Sequence, residues 1–224
     1  MATFARPISN MGDRRMIAVQ SELTSTTYIS DHHDVFTHFF TEHINVCGWQ
    51  RKLSQSVYEY STLLTKHQIK VVREISPEEV FSEFNSLLPD SQYKHDFLED
   101  VHLLSDMMCC IFDCKSVGLR LITLDHAMCP KFHTDKISGR LICTYMGKGT
   151  QWLPNAAKDD LELLNQIKTP NQMQGKHDVL SAKQGDVLLL KGDAWPKNEG
   201  KGAIHRSPPN PLIQRRVLLT LDPM

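Results

Sequence analysis

CPKFHTD, residues 129–135, sets His133 and Asp135 two positions apart. In a β-strand, residues i and i+2 project to the same side, so these two side chains face one way and supply half of a metal site. The third donor is His205, in AIHRSPP, followed ten and eleven positions later by Arg215 and Arg216. Together they form a candidate 2-His-1-carboxylate triad with a nearby cation for an anionic co-substrate. Donors so far apart in the chain meet only in a fold that brings distant strands to one mouth.

The segments around CPKFHTD have that character. VGLRLITLD (117–125), RLICTYMG (140–147), HDVLSAKQ (177–184), GDVLLLKG (185–192), AIHRS (203–207) and RRVLLTLD (215–222) are short, apolar or alternating, and bounded by Gly, Pro, Asn or Asp. Strands at this spacing predict an antiparallel sandwich or barrel, and a jelly roll is the variant that joins distant strands at one end. LELLNQI (161–167) reads as a helical strap between them.

Residues 31–115 have a different texture. A short helix is expected over 31–43, with Asp31 as N-cap and Val35, Phe36, Phe39 and Phe40 on one stripe. INVCGWQ (44–50) and IKVVREI (69–75) read as strands, separated by a helix over 53–66. SPEEVFSEF opens with a helix-start signature, Ser76 as cap, Pro77 at the first helical position and Glu79 completing a capping box. The longest helical pattern runs from Ser91 to Cys114, with Phe97, Val101, Leu104 and Met108 on its apolar stripe. Residues 1–30, rich in Ser and Thr, read as an irregular lead-in. The expected organisation is therefore α+β: a lead-in over 1–30, a helical and mixed extension over 31–115, and an all-β core over 116–224 packed with it as one unit.

Composition narrows the function classes. Lys plus Arg (25) balance Asp plus Glu (26), which leaves no field of one sign to recruit nucleic acid or an anionic membrane. No apolar run reaches the roughly 18 residues of a membrane span, and MATFARPISNMGDRRM lacks the apolar core of a signal peptide. Cytoplasm is the expected location. The six cysteines, Cys47, Cys109, Cys110, Cys114, Cys129 and Cys143, contain no CxxC pair and read as reduced thiols. His32, His33, His38 and His43 read as a polar helix surface, and Cys110 with Cys114 as helix packing.

The ordered set His133-x-Asp135, RLICTYMG with Arg140 and Tyr145, Gly149-Thr150-Gln151-Trp152, Gly185-Asp186, His205 and Arg215-Arg216 resembles the 2-oxoglutarate and Fe(II)-dependent dioxygenases, in particular the prolyl 4-hydroxylase-like branch. The resemblance implies a C-terminal double-stranded β-helix, a cupin-like jelly roll. It implies His133, Asp135 and His205 as iron ligands, and Arg216 or Arg215 as partner of the distal carboxylate of 2-oxoglutarate. Tyr145 is the implied second donor to that carboxylate, and Arg140 joins the co-substrate-binding set. A planar guanidinium suits a carboxylate better than a point charge does. More narrowly, CPxFHxD, RLxCTYxGxGTxWL, GDxLLLKG and HRSPP resemble the family called domain of unknown function 1826, over about residues 45–222. Its members tend to be encoded near genes of zinc homeostasis.

The reaction so implied is hydroxylation of a C–H bond in a substrate, small molecule or protein, that the sequence does not name. Trp152 and Trp195 flank the mouth as pocket walls or as hydrophobic plugs. Cys129, four before His133, supports an alternative in which a Cys/His/Asp/His set holds Zn(II) in a metal-handling protein without redox turnover. The sequence is compatible with self-association.

Overall fold

The computed structural model describes residues 26–166, 177–209 and 215–224. Residues 1–25 of the lead-in expected over 1–30, and the last residue of the strap, 167, lie outside the described residues; the end of that lead-in, Thr27–Ser30, is not irregular but a strand, held by parallel pairing with Val46–Trp49. Among the described residues the strands are β1 (Thr27–Ser30), β2 (Val46–Trp49), β3 (Lys70–Ile75), β4 (Val117–Leu124), β5 (Gly139–Met146), β6 (Gln151–Leu153), β7 (Leu180–Ser181), β8 (Val187–Lys191), β9 (Ile204–Arg206) and β10 (Arg216–Pro223). The α-helices are α1 (Gln55–Leu64), α2 (Val80–Leu87), α3 (Lys94–Phe112) and α4 (Leu161–Gln166). The architecture is α+β. A seven-stranded sheet in the order β1-β2-β8-β5-β10-β4-β3 and a three-stranded sheet in the order β7-β6-β9 carry it. Every pairing is antiparallel except β1 with β2.

The central strand β10 shows why these residues make a two-faced sheet. Val217, Leu219 and Leu221 pack with Tyr60, Phe97, Val101, Leu104 and Met108 of the helices. Leu218 points the other way, into a cluster with Val46, Ile122, Ile142, Leu188, Leu190 and Trp152 that fills the space between the two sheets. Apolar residues are needed on both faces, so the strand reads as a nearly continuous apolar run. A third cluster, Phe132, Leu153, Ala157, Leu164 and Ile204, lets α4 strap the outer face of the small sheet.

The sheet does not belong to the C-terminal half alone. β2 pairs with β8 and β3 with β4, so strands from before residue 115 cover both edges of the β4-β10-β5-β8 unit. Open edges expose unpaired backbone groups, and covering them ties the two parts of the chain together. Other differences are local. The helix expected over 31–43 is a 3₁₀ helix, His33–Phe40, capped by His32 and not by Asp31. Val35, Phe36 and Phe39 are its buried residues. The strand expected over 177–184 shrinks to Leu180–Ser181. At Ser76 the capping-box bond is present, Ser76 N–H to Glu79 Oε2 at 2.8 Å. Among the described residues no helix is long and apolar enough to cross a membrane, and all six cysteines are free.

Candidate metal centre

Backbone pairing brings the three donors together. His133 N–H donates to His205 O at 3.0 Å and His205 N–H to His133 O at 2.9 Å, a mutual antiparallel pair that extends the small sheet by one position. On its other side His205 is paired with Trp152, and Trp152 with Leu180. Directly opposed residues share a face, so His133, His205, Trp152 and Leu180 form one row facing the large sheet. The two imidazoles lie 4.5 Å apart between centroids. Asp135 then reaches both, with Oδ1 3.8 Å from His133 Nε2 and Oδ2 3.4 Å from His205 Nε2. One ligand atom from each of the three lies within 4.8 Å of the others.

The backbone after His133 is held from below. Asp193 N–H donates to Asp135 O at 2.8 Å, Gly192 N–H to Ser138 O at 3.1 Å and Ala194 N–H to Ile137 O at 3.1 Å. Thr134 Oγ1 donates to Asp193 Oδ2 at 2.7 Å. Gly192 permits this close approach, because a Cβ there would sit 1.9 Å from Ile137 O.

Hydrogen bonding selects the tautomers. His133 Nδ1 lies 2.9 Å from Lys131 O and His205 Nδ1 3.0 Å from Ala203 O. A carbonyl only accepts, so each Nδ1 carries the hydrogen and each Nε2 presents its lone pair toward Asp135. Burial lowers the pKa of His205 and favours the neutral ring, against the pull of Asp135. Two nitrogen lone pairs thus converge on a carboxylate whose one hydrogen-bond donor among the described residues, Arg140, reaches Oδ2 and leaves Oδ1 free. A cation satisfies that arrangement, and the second-nitrogen bonds to carbonyls are those that orient metal-bound histidine.

Arg140 and Arg216 are placed differently from one another. Arg140 donates from Nη1 to Asp135 Oδ2 at 2.9 Å, and from Nε and Nη2 to the two oxygens of Asp222, both at 2.7 Å. Burial works against its charge, but Asp222 and then Asp135 raise its pKa. Its fork is therefore committed to two carboxylates of the protein and is not a free co-substrate anchor. Arg216 has 0 % exposure. It donates from Nε to Lys148 O at 2.7 Å and from Nη2 to Thr144 Oγ1 at 3.3 Å, while Nη1 has no partner among the described residues. Thr220 Oγ1, on the same face of β10 two positions beyond Leu218, is likewise buried without a partner. Arg215 points outward, exposed, toward the carbonyls of Thr65 and His67.

Three sequence-derived candidates fall elsewhere. The β5–β10 register shifts between Val217 and Leu218, which pair with Met146 and Thr144 and leave Tyr145 as the extra residue of a bulge. Tyr145 lies on the helical face, with its hydroxyl donating to Asp100 Oδ2 at 2.6 Å and its ring 4.7 Å from Phe97. Arg51 forks onto the same Asp100 and also touches Cys143. Tyr145 therefore makes no second donor to a co-substrate carboxylate. Tyr145→Phe should cost about 1.5–3 kcal/mol in urea unfolding, as expected for a bond to a charged group, and leave affinity for 2-oxoglutarate unchanged. Trp195 packs among Phe39, Phe40 and Phe112 on the helical side and is a plug, not a pocket wall. Cys129 O accepts from Ser207 N–H at 2.8 Å and Cys129 N–H donates to Ser207 Oγ at 3.3 Å, while its thiol is not among the three clustered donors.

Trp152 does line the space between the sheets. On the side of it away from His205, a cavity of 170 Å³ is lined by Ile29, Gly48, Gln50, Leu180, Asp186 and Leu188 as well as Trp152. The larger cleft of 660 Å³ lies between α2 and α3, around Phe81, Lys94 and His95, and has no residue in common with the metal cluster. Sequence reasoning missed Asp222, Thr144 and Thr220. A period of two from Arg216 passes through Thr220 to Asp222, so the polar positions in an otherwise apolar RRVLLTLD were the available signal.

Residues 30–222 match the family model described as protein of unknown function, DUF1826. No curated protein matches the sequence. Among solved structures, the dioxygenase for auxin oxidation 1 from Arabidopsis thaliana, in its binary complex with 2-oxoglutarate, is similar in fold. Identity is 10 %, coverage is 88 % of this chain and 92 % of that one, and the TM-score is 0.51. A Pseudomonas putida prolyl-4-hydroxylase has 9 % identity, with coverage of 84 % and 96 % and a TM-score of 0.43.

Proposed function

The chain belongs to the DUF1826 family, and from that premise we propose that it is a non-haem Fe(II), 2-oxoglutarate-dependent oxygenase that hydroxylates a C–H bond of its substrate. The observation that carries this reading is the convergence of His133 Nε2, His205 Nε2 and the Asp135 carboxylate. Two neutral imidazoles and one carboxylate suit Fe(II), and a set of three protein donors leaves positions for dioxygen and a co-substrate. The clustered donors are these three, without Cys129, which supports a site with open positions over a closed four-donor set.

The strand arrangement supports a double-stranded β-helix. β4, β10, β5 and β8 form one wall, and the His133 position, β9, β6 and β7 form the other. In this reading Arg216 binds the distal carboxylate of 2-oxoglutarate through the Nη1 that lacks a partner, with Thr220 and Thr144 as hydroxyl partners. Trp152 and the apolar residues around it keep water from the space beside His205. Iron(II), when bound, supplies the redox chemistry that couples decarboxylation of 2-oxoglutarate to insertion of an oxygen atom from O₂. A cytoplasmic location is part of this proposal, and the six free thiols support it.

Anaerobic addition of Fe(II) and 2-oxoglutarate should produce a weak visible charge-transfer band, and admission of O₂ should release succinate without added substrate. Both should vanish in His133→Ala. An iron-loaded wild-type protein that gives neither signal overturns the proposal.

A further inference from the structure

Asp135, Arg140 and Asp222 come from three segments of the chain and meet as one chain of charges. Their side chains are 17 %, 19 % and 23 % exposed, so water competes for them only partly. Asp222 takes two of the guanidinium's donor positions, Nε and Nη2, and Asp135 Oδ2 takes a third, Nη1. Asp135 Oδ1 has no hydrogen-bond donor among the described residues and lies 3.8 Å from His133 Nε2.

We propose that Arg140, clamped by Asp222, is the positioning residue that fixes Asp135 as a metal ligand. The inference rests on the iron-site reading above. Arg140 does two things there. It pins Oδ2, which stops rotation of the carboxylate and presents Oδ1 to a cation. It also brings a positive charge next to a metal site, which would weaken cation binding if it stood alone. Asp222 removes that penalty, since a guanidinium already forked onto one carboxylate has its charge largely compensated and holds Asp135 as an oriented donor. Lysine cannot replace it, because a single ammonium is a point charge and cannot hold both carboxylates in one plane. Asp222 thus controls the metal site without touching it.

The test uses Co(II) as a spectroscopic probe, titrated anaerobically into full-length wild type, Arg140→Lys, Asp222→Asn and His133→Ala, with apo melting temperatures measured alongside. Wild type should bind one Co(II) with a visible d–d band, and His133→Ala should bind none. Arg140→Lys and Asp222→Asn should each bind at least about tenfold more weakly, the usual scale for partners of metal ligands, with an altered band. The double variant Arg140→Lys/Asp222→Asn should lose little more than Arg140→Lys alone, because the two act as one device. If Arg140→Lys fails to fold, the isosteric Asp222→Asn decides. Wild-type Co(II) affinity and an unchanged band in folded Asp222→Asn would overturn the proposal, whatever the loss in melting temperature. Failure of wild type itself to bind Co(II) would instead overturn the metal-site reading.

Discussion

Replacing Arg216 by methionine is expected to raise KM for 2-oxoglutarate by about 100-fold while leaving the melting temperature unchanged or higher. The two effects have one cause. Arg216 is fully buried, has no carboxylate partner, and leaves Nη1 unsatisfied. Burial brings its pKa down to about 10, a sign that the protein alone does not stabilise the charge well. Replacing buried ionic groups with apolar side chains of similar volume is often neutral or stabilising by about 1–4 kcal/mol. A bound dicarboxylate would supply the missing anion, and removal of one member of such a buried charge pair costs about 2–5 kcal/mol. Arg216→Lys should recover part of the affinity but not the forked contact. Thermal melts and 2-oxoglutarate saturation curves on the same preparations check both halves. A large loss of stability with KM intact would show that Arg216 is a structural residue.

Gly192→Ala is expected to remove metal binding altogether and to lower the melting temperature by roughly 3–10 °C. The added methyl carbon would lie 1.9 Å from Ile137 O and 3.0 Å from Asp135 O, both backbone atoms that cannot turn aside. Segment 135–138 would have to lift, and three backbone bonds to residues 192–194 would go with it. Overpacking of this kind costs about 1–3 kcal/mol, which for a domain of this size corresponds to that range of melting temperature. The larger effect is on the site, because Asp135 moves away from two histidines anchored on β9. Gly118→Ala is the milder comparison: its Cβ would meet the flexible Met224 side chain at 3.2 and 3.7 Å and Asp222 Cβ at 3.8 Å, an ordinary van der Waals contact. Metal titration of the pair separates the two cases, and tight binding by Gly192→Ala would refute the argument.

Much of this was legible in the sequence, for definite physical reasons. The two-residue spacing in CPKFHTD pointed to two side chains on one face of a strand; the segment instead makes a single bridge, His133 with His205, and Asp135 reaches the histidines from irregular backbone beyond it. Which of Arg215 and Arg216 faces inward was not legible, because alternation gives two equivalent phases until one face is known. Packing of Val217, Leu219 and Leu221 on the helices settles the phase. The role of Tyr145 was carried over from the family resemblance, whereas alternation from Leu141 and Cys143 puts it with them on the helical face; the bulge that follows brings Met146 to that face as well. Gly147 has φ +90°, and a Cβ there would lie 2.8 Å from Arg216 Cγ. For Trp195 the sequence left pocket wall and hydrophobic plug open, because only the path of the turn after β8, which carries it against Phe39, Phe40 and Phe112, decides between them. The Arg140–Asp222 pair depends on β5 and β10 being neighbours, information that exists only in the tertiary fold.

β10 lies between β4 and β5, although it follows both of them in the chain. During synthesis, β4 and β5 emerge first and wait with their inner edges unpaired until β10 arrives, a long-range closure that slows folding and exposes strand edges to association. A nascent chain halted before Arg216 would already contain His133, Asp135 and His205. It would lack the anion anchor, the clamp on Arg140 and the strand that joins the two halves of the wall. On the proposed function, the site would be complete only once that one strand has inserted.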